Sequence, residues 1–148
     1  MLKLPPPIWT LAYVLACAAV SWLAGWPQIP WLHSPPLGIA LVILGIAPPV
    51  WAALLFRRER TEFNPTSASN STLVTSGPYR ITRNPMYLGL VVVALGIAVW
   101  AGWWPMFLAP VLSFATSNWV HIPFEEAKMR RQFGDAFDAY MGRVRRWI

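Results

Sequence analysis

The sequence predicts an all-α, polytopic membrane protein, with four transmembrane helices followed by amphipathic cytoplasmic C-terminal helices. Two observations carry this. Hydrophobic residues make up 56% of the 148 residues and charged residues 12%, about half the charge of a soluble domain. Moreover, every Lys, Arg, Asp and Glu falls at Lys3, between Arg57 and Arg83, or between Glu125 and Arg146. Two uncharged stretches remain, Leu4 to Phe56 and Asn84 to Phe124. About 20 helical residues cross a ~30 Å hydrocarbon core, so each stretch holds two crossings. The same composition excludes intrinsic disorder. The single cysteine, Cys17, excludes an internal disulfide framework and a multi-cysteine metal site, and no metal site is expected.

The first stretch breaks at Gly25-Trp26-Pro27-Gln28-Ile29-Pro30, giving spans Ile8–Ala24 and Pro36–Phe56. The second breaks at Ala101-Gly102-Trp103-Trp104-Pro105, giving spans of roughly Pro85–Trp100 and Pro105–Val120. The short spans call for a locally thinned bilayer or Trp anchoring. Trp22, Trp26, Trp31, Trp100, Trp103 and Trp104 cluster at one set of ends, with Trp9 and Trp119 near the other, as an aromatic belt would. The chain reads as a single membrane domain, 1–148: an N-terminal hairpin (1–56), a cytoplasmic loop (57–84), a second hairpin (85–120) and C-terminal helices (121–148).

Orientation follows from the Lys/Arg count. The connections 26–35 and 101–104 carry none, the 57–83 loop five and the tail six. The positive-inside rule therefore places both termini and the central loop in the cytoplasm, as in a bacterial inner membrane. The net charge of +6 reads as a topology signal and contact with anionic lipid. No nucleic-acid partner is expected. The N-terminal Lys3 and apolar run resemble a signal peptide, but the run continues through Ala24, so a membrane helix is expected instead.

Glycines at a seven-residue spacing, Gly38/Gly45 and Gly89/Gly96, lie on one helix face where backbones approach closely. Thr61–Thr72 reads as a surface segment, with a sequon at Asn70 that a cytoplasmic location makes irrelevant. Leu73–Arg83 reads as compact turns. In the tail, Pro123 suits a helix start with Glu125 and Glu126 in its positive first turn. Gly134 ends that helix, and Asp135 with Asp138 caps the next. Phe133, Phe137, Tyr140 and Val144 then form one apolar stripe, which either packs on the bundle or lies in the membrane interface.

The chemistry concentrates in Ser76-Gly77-Pro78-Tyr79-Arg80-Ile81-Thr82-Arg83-Asn84-Pro85-Met86-Tyr87-Leu88-Gly89. Asn84-Pro85 reads as an N-cap followed by proline at N1. The helix start and Arg83 make an anion site. Tyr79 and Tyr87 offer aromatic faces to a cation or a flat ring, and Glu125 and Glu126 share that side of the membrane. A ligand flat at one place, cationic at another, anionic at a third and rich in hydroxyls fits, and S-adenosylmethionine has all four features.

On these residues the sequence resembles the small integral-membrane methyltransferases that include isoprenylcysteine carboxyl methyltransferase and phospholipid methyltransferases. Their pattern is G-P-Y, R-H-P-x-Y-x-G, a hydrophobic hairpin, E-E, then a tail with F-G, Y and V-x-R. It is matched by Gly77-Pro78-Tyr79, Arg83-Asn84-Pro85-Met86-Tyr87-Leu88-Gly89, Glu125-Glu126, Phe133-Gly134, Tyr140 and Val144-Arg145-Arg146, over about residues 73–148. Asn84 replaces the usual His and cannot titrate near neutral pH. Met1–Leu55 carries no motif.

The resemblance implies binding of S-adenosyl-L-methionine, with S-adenosyl-L-homocysteine as product. The expected cofactor residues are Gly77, Tyr79, Arg83, Asn84, Pro85, Tyr87, Gly89, Glu125 and Glu126. Arg83 and the helix start would hold the carboxylate, one of the Glu pair would take ribose hydroxyls or the amine, Tyr87 would lie near the sulfonium, and Gly89 would admit the ligand. Glu125, Glu126 and Arg143 are the candidate catalytic residues: a Glu as base for a phospholipid amine, and Arg143, with Arg145 and Arg146, for an anionic acceptor group. His33 and His121 read as structural. With no titratable residue at 84, a carboxylate or thiol acceptor is slightly favoured over an amine. The alternative is a non-catalytic membrane scaffold or lipid-binding bundle. A transporter lacks the charges expected within its spans. A soluble Rossmann-type methyltransferase lacks its glycine-rich turn.

Overall fold

The computed structural model describes residues 4–58 and 73–148. Lys3 and the segment Thr61–Thr72, with its sequon, lie outside the described residues. Among the described residues the fold is all-helical: α1 (Pro6–Leu23), α2 (Pro35–Arg58), α3 (Pro85–Ala101), α4 (Leu108–Thr116), α5 (Ile122–Phe133) and α6 (Asp135–Arg143). Single 3-10 turns at Gly77–Arg80 and Trp104–Phe107 precede α3 and α4.

Two helices, α1 and α2, are long and apolar enough to cross a membrane. The charge-free stretches predict four. α3 is apolar but has 17 residues, about 25 Å. The expected fourth span is divided between a 3-10 turn, α4 and a π-turn at Ser117–His121. The surface of these helices is greasy. Leu11, Leu15, Trp22, Leu23, Ile43, Leu44, Val111 and Trp119 are all more than half exposed. A soluble protein would bury such side chains against a core.

The antiparallel pair α2/α3 is built on glycine. A Cβ added at Gly38 would lie 2.7 Å from the Gly96 carbonyl oxygen, and one at Gly45 would lie 2.8 Å from that of Gly89. The converse holds at Gly96, 2.8 Å from the Gly38 carbonyl oxygen. The two seven-residue glycine spacings therefore face each other, and the backbones touch. Pro48 and Pro49 sit inside α2. Proline at 49 has no N–H to give the carbonyl four residues earlier. That carbonyl belongs to Gly45 and lies against Gly89.

A second layer joins α1 to α3 and α4 through Val14, Cys17, Ala94, Ala98, Ala101, Met106 and Ala109. Polar pairs Tyr13–Thr116 (2.8 Å) and Ser113–Thr10 (3.2 Å) tie α1 to α4. Where α1 and α3 end, Gly102 (φ +70°) stops α3. There Ile29 N–H reaches the Gly102 carbonyl (2.9 Å) and Gln28 Nε2 that of Ala101 (3.0 Å). The opposite end of α3 receives the 73–84 turns, α5, α6 and the chain's last residues.

Three local expectations change at that end. The helix does not restart at Pro123: His121 and Ile122 are helical, and α4 runs through the π-turn into α5. A π-turn shifts the hydrogen-bond register by one residue, and Pro123, with no N–H, is absorbed there. Glu125 and Glu126 thus stand on a continuing helix rather than at a free positive end. Gly134 does end α5, but it is itself the N-cap residue of α6 (φ +51°). Asp135 follows inside the helix, and no side-chain cap forms. Asp138 instead takes Arg130 Nε at 2.8 Å. The apolar stripe packs inward at Phe137 and Tyr140, 5% and 4% exposed, and the Tyr140 hydroxyl donates to the Tyr79 carbonyl at 2.7 Å.

Candidate functional site

The candidate site lies where the start of α3 meets α5 and the tail. Its first cluster centres on Glu125. The buried Tyr87, one turn into α3, donates its hydroxyl to Glu125 Oε1 at 2.6 Å. The His121 ring stacks on Tyr87, with centroids 6.2 Å apart and planes at 22°. Burial pushes the Glu125 carboxyl up to about 6, against the opposing effects of the Tyr87 hydrogen bond and Lys128. His121 is 4% exposed, and its Nε2 has no hydrogen-bond partner among the described residues.

The second cluster centres on Glu126. Arg146 grips it with Nη2 on Oε2 at 2.6 Å and Nε on Oε1 at 3.2 Å. Arg83 Nη2 approaches Oε1 from the other side at 3.4 Å. The Arg83 and Glu126 side chains are 13% and 17% exposed, and that of Arg146 is 34% exposed. Two guanidinium groups thus share one carboxylate in a poorly solvated place. Arg83 Nε and Nη1 are buried with no partner among the described residues.

The last residues hold the second cluster together. The Arg145 carbonyl accepts Arg83 N–H at 2.9 Å. The Arg146 carbonyl accepts both Thr82 Oγ1 and Asn84 Nδ2 at 3.0 Å. Asn118, in the π-turn, receives Trp147 Nε1 at 3.0 Å and Arg146 Nη1 at 3.5 Å, and the Trp147 ring lies 4.7 Å from Phe114. The tail is thereby a strap across the start of α3, α4 and α5.

Of the residues expected at the site, the structure gathers Arg83, Asn84, Tyr87, Glu125 and Glu126 here, with Pro85 buried at the first position of α3. Tyr79 flanks them, edge-on to Phe56 at 5.8 Å. Gly77 (φ +58°) makes the turn against Trp51 and Leu55 of α2. Asn84 stands at the N-cap position but makes no cap bond; its side chain turns to the tail, where Nδ2 donates to the Arg146 carbonyl. Gly89 does not face the cluster. It lies in the α2/α3 seam against Gly45 and Pro49, where an added side chain would part the helices. Arg143 is exposed and bonds back to the Ala139 carbonyl at 3.3 Å, so it falls outside the cluster. Its place is taken by Arg146, which the V-x-R tail pattern already pointed to. Thr82, Asn118 and Trp147 were missed. Their partners are 29 to 64 residues away, and no short spacing signals such contacts.

An apolar helical body, uncovered along its sides, with a part-buried Arg–Glu–Tyr cluster at one end, defines a membrane-associated protein with a chemical site at the bundle's end. The chain belongs to the phospholipid methyltransferase family, whose model matches residues 35–136. The match begins at the start of α2, so the family portion reaches further towards the N-terminus than the motifs between 73 and 148 indicated. The chain is also 32% identical over 63 residues to an uncharacterized protein of Haemophilus influenzae, which covers 43% of this chain and all of that protein. No solved structure matches the chain.

Proposed function

We propose that the protein is an integral-membrane, S-adenosyl-L-methionine-dependent methyltransferase acting on a lipophilic acceptor that enters from the bilayer. The observation that carries this is Arg83. A guanidinium does not deprotonate in a protein. Here the Nε and Nη1 atoms of one are buried with no partner among the described residues, and its third nitrogen lies on Glu126. Unpaired buried donors on a charged group are costly, and an anionic ligand group relieves that cost. The cofactor's carboxylate fits Arg83, its hydroxyls and amine fit the acceptors of the Glu pair, and the Tyr87 face suits a cationic or flat portion. When bound, the cofactor supplies a methyl group already activated on a sulfonium.

The residues' share is then to orient ligands and exclude water, which positioning alone makes effective. Glu126 fixes both guanidinium groups. The bond from Tyr87 fixes Glu125, so the pair presents its carboxylates from a rigid helix. We read the chain as one membrane domain with four crossings, α3 and the 104–121 segment completing the set, both termini cytoplasmic, in a bacterial inner membrane. The apolar exposure and Lys/Arg asymmetry support this. In a Ser34→Cys variant, labelling by an impermeant maleimide from outside intact cells is expected. Labelling only after lysis would sink the orientation.

The functional test is calorimetric binding of S-adenosylhomocysteine to the detergent-purified protein, with Arg83→Gln beside it. Binding that the variant loses by tens-fold is the expected result. No binding to the unmodified protein would leave a non-catalytic membrane module as the reading.

A further inference from the structure

We propose that His121 is the catalytic base of this site, and that the acceptor is a nucleophile carrying a proton, a thiol or an amine, rather than a carboxylate. This rests on the methyltransferase reading above. Asn84 leaves position 84 without a titratable group, and the sequence offered Glu125 or Glu126 as the base for an amine. The fold supplies an imidazole from elsewhere. His121 lies 34 residues beyond Tyr87 in the chain, yet its ring is stacked on the Tyr87 ring at 6.2 Å. That hydroxyl is bonded to Glu125 at 2.6 Å.

Three observations set His121 apart from a histidine that merely ends a helix. It is 4% exposed, yet its Nε2 is buried without a partner among the described residues. Buried polar side-chain atoms are ordinarily hydrogen-bonded. It closes a π-turn, an irregularity found often at functional sites. And its flanks, Trp119, Pro123 and Phe124, are exposed, on the sides of a bundle whose surface is apolar. An acceptor arriving through lipid meets this segment directly. Glu125 is a poorer base here, because its carboxylate already accepts the Tyr87 proton donor.

The step is a simple displacement. As the acceptor's nitrogen or sulfur forms its bond to the methyl carbon, its proton passes to His121 Nε2. The bond between the methyl carbon and the sulfonium sulfur breaks, and its electron pair stays on sulfur, leaving a neutral thioether. The imidazolium returns its proton to water when the products leave. The titratable groups packed on His121 are Tyr87 and, through its hydroxyl, Glu125. A carboxylate acceptor has no proton to give and would need no base.

The test has two arms. In the first, the 15N spectrum of histidine-labelled protein with S-adenosylhomocysteine is recorded at neutral pH. The chain has two histidines, so His33→Gln assigns the signals by difference. A neutral ring with unprotonated Nε2 is expected at His121; a proton on Nε2 at neutral pH overturns the proposal. In the second arm, His121→Gln is expected to bind S-adenosylhomocysteine within about three-fold of the unmodified protein. It should turn over thiol and amine acceptors about a hundred-fold or more slowly. For a cysteinyl thiol that deficit should shrink as pH rises towards the thiol's own pKa of about 8.5, since the acceptor then ionises unaided. Turnover within about three-fold of the unmodified protein, or a deficit unmoved by pH, overturns the proposal. Should the variant not fold, the nitrogen spectrum decides alone. Failure of the unmodified protein to bind S-adenosylhomocysteine overturns the methyltransferase reading, and this proposal with it.

Discussion

The flank and the start of α3 are held by opposite kinds of force. Along its length, Gly89 and Gly96 lie against Gly45 and Gly38 of α2, and the backbones meet directly with Val42, Pro49 and Val93 packed beside them. At its start, Thr82, Arg83 and Asn84 are tied by hydrogen bonds and ion pairs to α5 and the tail. The seam tolerates no added atom but is indifferent to pH and salt. The polar knot tolerates changes of size but depends on charge and on each donor keeping its acceptor. A site built at the end of a glycine seam inherits a rigid frame, so its polar groups need to hold only themselves.

The sharpest way to break this contrast is to add bulk to the seam. Gly45→Leu puts a branched side chain where even a Cβ would sit 2.8 Å from the Gly89 carbonyl oxygen. A loss of about 3 kcal/mol or more is expected, at or above the upper range for overpacking. It should appear as a lowered melting temperature and a broadened elution profile in detergent. A melting temperature equal to that of the unmodified protein would mean the helices do not touch there.

The knot should be next in sensitivity. Glu126→Ala leaves Arg83 and Arg146 facing each other without their shared carboxylate. Breaking a fully buried pair costs about 3–5 kcal/mol. Arg146 is 34% exposed, so ~2 kcal/mol is the expectation after discounting for solvent. Glu125→Gln keeps its partner Tyr87 hydrogen-bonded and should cost far less. Equal destabilisation by the two substitutions would erase the distinction drawn between the clusters.

Glu125 supplies a pH dependence that the seam lacks. Its carboxyl titrates at about 6 in the fold against an ordinary value of 4.5. Between those values the unfolded chain releases the proton first and the folded chain keeps it. Stability attributable to this group is therefore fully present below pH ~4.5 and lost as pH rises to ~6, by on the order of 2 kcal/mol. Melting curves across that window should show the fall, and Glu125→Gln should flatten it. A rise with pH assigned to Glu125 would refute the burial argument.

Smaller effects test the strap. Asn84→Asp removes the amide donor that holds the Arg146 carbonyl and places a carboxylate there instead. About 1–2 kcal/mol should be lost, and trypsin should cut faster in the tail, whereas Asn84→His keeps a donor and should resist. Asn118→Leu deprives Trp147 of its acceptor. A cost of ~1 kcal/mol is expected, with a changed Trp147 emission in a variant reporting on that residue. Unchanged emission would mean Trp147 does not dock on the π-turn.

Much of this was legible beforehand. Charge placement located α1, α2 and α3 to within two residues, because an apolar run without charge has few other ways to satisfy its backbone, whereas the expected fourth span gave way to a helix that runs through the π-turn into α5. The seven-residue glycine spacings announced the seam, since only small residues at one face let helices meet so closely. The cluster of Arg83, Tyr87, Glu125 and Glu126 was readable as a set of motifs. What was misread concerns where side chains go once a continuous backbone fills a place assumed to be free. Asn84 gives its amide to the tail instead of capping its helix. Gly89 serves α2. Pro123 rides on a π-turn, so the Glu pair has no helix end beneath it.

The sequence by itself determined an apolar helical protein with its polar chemistry at one end, because hydrophobic burial and charge exclusion are written in composition and order. Only the tertiary structure decided which polar groups meet. Arg146 rather than Arg143 reaches Glu126, and His121 rather than residue 84 brings an imidazole to Tyr87. The reason is geometric. Partners separated by 20 to 64 residues are chosen by how α5, α6 and the tail fold back over the start of α3, and no local spacing encodes that return.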